Sequence, residues 1–157
     1  MIEQIYTYFN IDMIFMWSNL GVLPFWLVLI IFPQSQICRV FIASIFPIFI
    51  LSLVYGYLLY LFINEDYDFI KNFELYLGLD AVSNLFTNMN FIILFWLHFL
   101  AINLFCGGWI VKDSQKFGIN KILLSFPLLI TYFIGPVGLT IYWIIRVFYA
   151  KRINLYD

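Results

Sequence analysis

The only histidine in this 157-residue chain, His98, sits in a run from Ala81 to Val111 that holds no Asp, Glu, Lys or Arg. An imidazole takes up or gives a proton near neutral pH, and a second polar group, the amide of Asn103, follows five residues later. At 3.6 residues per turn, residues eleven apart fall almost on one line, so a helix would align Thr87, His98 and Trp109, with Asp113 one turn beyond. Asn103 then lies roughly 140° around from His98, so the two meet one small ligand only with help from another helix or a distorted backbone. Cys106-Gly107-Gly108 offers such a distortion, because paired glycines are common places for a helix to kink or end. At membrane depth a histidine and an amide must face protein or water. The plainer role for His98 is a structural bond to a neighbouring helix.

The elements that would position these groups follow from composition. The chain is 64% hydrophobic and 11% charged, against about 25% charged in soluble domains. Charge-free gaps also separate Asp12 from Arg39, Arg39 from Glu65, and Lys121 from Arg146. Each holds the roughly 20 apolar residues of a spanning helix. The reading is an all-α integral membrane bundle of four transmembrane helices, about 14–32, 41–63, 90–109 and 122–145, forming one domain over residues 1–157. This leaves no room for a soluble catalytic domain. Glu3 and Asp12 with no basic residue make a poor secretory signal, so the first span is expected to be retained.

Cys38 and Cys106 have neither a paired nor a metal-ligand spacing, and no cofactor or metal is expected. No basic stripe suggests nucleic acid, and no nucleotide loop, hydrolase triad or zinc spacing occurs. Among the many aromatics, Tyr6, Tyr8, Trp17, Tyr60, Trp109 and Tyr149 read as interfacial anchors. Membrane lipid is the expected surrounding, and the helices could build a site among themselves or between copies in a homo-oligomer.

Pro24 predicts a bend in the first span. The acidic loop INEDYDFIKNFELYLGLD invites a metal-site reading, but its spacing fits no calcium loop; a solvated loop with a short interfacial helix is expected. The last stretch is broken at Gly135-Pro136. Four full crossings divide the Lys and Arg residues equally, with Lys71, Arg146, Lys151 and Arg152 facing Arg39, Lys112, Lys116 and Lys121. A hairpin turning back at Gly135-Pro136 would give seven against one, which the positive-inside rule favours, but other helices must cover it. Four crossings are the primary expectation and the hairpin the alternative.

Trp96-Leu97-His98-Phe99-Leu100-Ala101, then Leu104-Phe105, Gly107, Trp109, Asp113-Ser114-Gln115, Gly118-Ile119 and Gly135-Pro136-Val137-Gly138-Leu139, resemble the abscisic-acid-deficient-4-like membrane family. Asn19, Pro24, Trp26-Leu27 and Pro33 resemble its opening segment. The resemblance implies a small four-helix membrane protein tied to carotenoid chemistry, in plants the isomerisation of violaxanthin to neoxanthin. On that basis His98 would act as acid or base, Asn103 would bond a ring oxygen, and Asn19, Trp26, Trp96, Trp109 and Asp113 would line the substrate. Opening an epoxide to an allene needs both a base and an acid. Here Asn103 stands where the family usually has an acidic residue, and Gly108 where a basic one is common. The missing carboxyl argues against neoxanthin formation by this chain. The alternative is a non-catalytic subunit binding a carotenoid, lipid or partner helices.

Overall fold

The computed structural model describes residues 10–42, 44–64, 68–151 and 153, all helices and connections with no strand among them. In order come α1 (Ile11–Ile31), a short π-type turn (Cys38–Ile42), α2 (Phe46–Asn64), a 3₁₀ segment (Phe69–Tyr76), α3 (Leu79–Leu85), α4 (Met89–Lys116), α5 (Lys121–Phe133) and α6 (Gly135–Ala150). Polar side chains mark the starts. Asn10 Oδ1 accepts from the Met13 N–H at 2.8 Å, Asn88 Oδ1 from Asn90 at 2.9 Å, and Asn120 Oδ1 from Ile122 at 2.9 Å. Each satisfies an N–H that a helix start leaves without an internal partner.

Three helices, α1, α2 and α4, are long and apolar enough to cross a membrane by length and composition. At ~1.5 Å per residue the shortest reaches about the ~30 Å of a hydrocarbon core. The break expected at Gly135-Pro136 is present, and it divides the last stretch into helices of 13 and 16 residues. Neither matches the length of a full span, so the expected four crossings become three long helices and two short ones. α1 continues through Pro24, and α4 runs through Gly107-Gly108 to Lys116, seven residues beyond the expected end. Thr87 lies before α4, its Oγ1 donating to the Asn84 carbonyl at 2.7 Å, so the expected Thr87–His98–Trp109 stripe lacks its first member.

Packing groups Met1–Leu20 with Ile50–Leu100 as one unit and Gly21–Phe49 with Ala101–Asp157 as a second. In the first, Phe91, Ile93, Leu94, Leu97, Leu58 and Phe62 are buried, and the Phe86 ring meets Phe91 and Phe95 edge-on. The expected anchors Trp17 and Tyr60 are exposed, whereas Tyr6 and Tyr8 lie outside the described residues. Of the acidic loop, Glu65 and Asp66 also lie outside them. Asp68 caps the 3₁₀ segment by accepting from the Ile70 N–H at 3.0 Å.

In the second unit the two short helices form a hairpin, as the contacts of each with its neighbours show. On α5, Tyr132 packs edge-on against Trp26 and Ser125 lies 2.9 Å from the Ile30 carbonyl, so α5 runs antiparallel to α1. On α6, Gly135 sits against Asn103, Tyr142 against Trp109 and Asp113, and Arg146 against Asp113 and Phe117, so α6 runs parallel to α4. The turn is a single residue, Ile134. Gly138 lets the helices close: a methyl group there would collide with the backbone of Thr131. The C-terminal end of α6 therefore returns to the end of this unit that holds the α4–α5 connection.

Candidate functional site

The site residues expected from sequence separate into different environments. His98 is exposed on α4 and has no hydrogen-bond partner among the described residues. Asn103 is 4% exposed, and its Nδ2 is buried with no hydrogen-bond partner among the described residues. Five residues apart on one continuous helix, they occupy different faces and form no acid–base pair. In the first unit, Trp96 Nε1–H donates to Asn19 Oδ1 at 3.1 Å, while Asn19 Nδ2 donates to the Phe15 carbonyl at 2.6 Å. The Trp96 ring is flanked by Phe15 and Phe99. Two expected substrate contacts thus bond to each other.

The remaining expected residues belong to the second unit. Trp26 is buried against Gly107, where an added methyl would lie 2.8 Å from the indole Cη2. Glycine in an apolar helix permits this approach, which explains why α4 continues where paired glycines suggested an end. Asp113 is 3% exposed and accepts twice at Oδ2, from Arg146 Nε at 2.6 Å and from the Tyr142 hydroxyl at 2.7 Å. Arg146 and Tyr142 are fully buried. The guanidinium carbon lies 4.8 Å from the Phe117 ring centre and 4.9 Å from that of Trp143, within cation–π range. Arg146 Nη1 has no partner among the described residues. A buried carboxylate and guanidinium are tolerable only together, so this network fixes α6 to α4.

Sequence reasoning missed Tyr142 and Arg146. The Lys and Arg count groups Arg146 with Lys151 and Arg152, although it follows Tyr142 by four residues, a spacing that puts both side chains on one helix face.

Trp109 links this network to a cavity. Its ring meets Tyr142 edge-on at 5.7 Å and stacks on Trp143 at 6.1 Å. Beside it lies an apolar groove of about 380 Å³, lined by Ile42, Ile45, Ile48, Leu104, Phe105 and Gly108, with Ser44 and Lys112 as polar members. Such a groove suits a flat or elongated apolar molecule with a polar end. Among the described residues no three His, Cys, Asp or Glu side chains gather as a metal site.

A family model described as ABA DEFICIENT 4-like matches residues 13–142. The chain is similar to Protein ABA DEFICIENT 4, chloroplastic, from Arabidopsis thaliana, with 24% identity over 136 residues, covering 85% of this chain and 60% of that protein. It thus spans less than two thirds of that relative's length. No solved structure gives a significant match.

Proposed function

The chain belongs to the ABA DEFICIENT 4-like family, and from that premise we propose that it is a multi-pass integral membrane protein that binds a carotenoid. The observation carrying this reading is the groove beside Trp109, which offers an indole, a phenylalanine and aliphatic walls to a polyene or its end ring. Lys112 and Ser44 are the polar residues of its lining and would meet a ring oxygen. A carotenoid already resides in the hydrocarbon layer, so it needs no aqueous channel. Three membrane-length helices support the localisation. The hairpin of α5 and α6 enters the bilayer and returns to the same side, covered by α1 and α4 through the Trp26–Tyr132 and Tyr142–Asp113 contacts.

The test is expression in a carotenoid-producing membrane, purification in mild detergent, and a visible spectrum with chromatography of the extract. Wild type is expected to hold carotenoid at near-unit stoichiometry, and Gly108→Phe, which fills the groove, to lose most of it. Colourless wild-type protein from a host containing epoxy-carotenoids would contradict the reading.

A catalytic reading is favoured by one observation, the exposure on an apolar helix of an imidazole that has no partner among the described residues. His98 would exchange the proton in an epoxy-carotenoid isomerisation, reached from the lipid rather than from a closed pocket. With His98→Ala, product formation in the same host should disappear while groove occupancy persists; unchanged product would end this reading.

A further inference from the structure

We propose that the second unit binds the phosphate of an anionic phospholipid in a polar pocket at its basic end. The pocket has a volume of about 270 Å³ and is lined by Gln34, Arg39, Ser114, Gln115 and Gly118, with Ile119 and Leu124 as apolar members. Its floor is fixed from within: Gln115 Nε2 donates to the Pro33 carbonyl at 2.9 Å and Ser114 Oγ to the Val111 carbonyl at 2.7 Å. Arg39 and Gln34 are exposed and make no hydrogen bond or ion pair through their side chains among the described residues. Their N–H groups are available to an anion, and a guanidinium matches phosphate geometry with paired donors.

Among the described residues the charge around the pocket is basic. The returning hairpin brings Lys151 to the same end as Lys112, Lys116 and Lys121, all exposed. The only carboxylate among this unit's described residues is Asp113, which is buried and bonded to Arg146 and Tyr142. Among the described residues no acidic side chain pairs with Arg39. The choice of a phospholipid over a free anion rests on the membrane reading proposed above: the pocket lies where α1 and α4, two helices of membrane length, come to their ends. Clusters of Lys and Arg next to a membrane span attract anionic headgroups.

The experiment uses full-length protein, delipidated in a neutral mild detergent, with phosphatidylglycerol, phosphatidylcholine and inorganic phosphate titrated separately and bound lipid read by native mass spectrometry. Phosphatidylglycerol should bind in preference to phosphatidylcholine. Arg39→Gln should weaken it about fivefold or more, Arg39→Lys much less, and Lys71→Gln, in the first unit, not at all. The lipid-free melting temperature should be unchanged in each. Should Arg39→Gln fail to fold, Gln34→Leu tests the same pocket and should also weaken binding. Equal binding of the two lipids, indifference to these substitutions, or equal binding of inorganic phosphate would overturn the site. Carbonate extraction separates the two failures: release of the protein into the supernatant refutes the membrane reading, whereas retention without lipid preference refutes this site alone.

Discussion

Asp113 shows how a residue's chemistry is set by its surroundings. The family resemblance implied a substrate contact there, but its carboxylate neutralises Arg146 inside the protein. Asp113→Asn leaves a buried guanidinium without its counter-charge, which costs about 3–5 kcal/mol. The expected result is a large fall in melting temperature. Asp113→Leu with Arg146→Met should recover most of that loss, because an apolar pair removes both desolvation costs. Cys38, in the connection after α1, is fully buried, and burial pushes its thiol up to about 11. Since the thiolate is the reactive form, alkylation should be slow at pH 7–8 and accelerate as pH rises towards that value. Rapid labelling at pH 7 would show that the Cys38 environment is open. Sequence spacing separated the faces of His98 and Asn103, but it could not reveal partners distant in the chain, such as Asn19 for Trp96.

The helices follow their sequence signals except where tertiary contacts intervene. Length and charge gaps made α1, α2 and α4 legible, and Gly135-Pro136 correctly marked the final break. Gly107-Gly108 did not, because a glycine that looks like a breaker serves here as a contact surface for Trp26. Gly107→Ala should therefore destabilise by about 1–3 kcal/mol through overpacking, and Trp26→Phe in the same chain should restore part of it. Equal melting of wild type and Gly107→Ala would refute the close approach. The 3₁₀ segment carries a further consequence. With three residues per turn, Ile70, Phe73 and Tyr76 align on one exposed row, while Lys71 and Glu74 align on another. Such a row suits the bilayer interface. Trp fluorescence of Phe73→Trp should be quenched by lipids brominated near the headgroup; quenching only by an aqueous quencher would place the segment in water.

At the scale of the whole molecule, the final apolar stretch is where length and composition alone did not decide the topology. Twenty-four residues from Ile122 to Ile145 are enough for one crossing, and the Lys and Arg count was balanced for that arrangement. The seven-against-one count pointed to a hairpin, but whether other helices would cover it depended on packing that sequence periodicity does not encode. Gly138 against Thr131, and Tyr142 and Arg146 against Asp113, supply that packing. The packing of Trp109 beside the groove and the approach of Lys151 to the basic pocket both depend on this return of the chain. It is tested most directly by placing single cysteines at Lys116 and Lys151 in a chain whose Cys38 and Cys106 are replaced by alanine, and labelling sealed vesicles with a membrane-impermeant maleimide. The fold-back predicts that both positions label from the same side; labelling from opposite sides would contradict it.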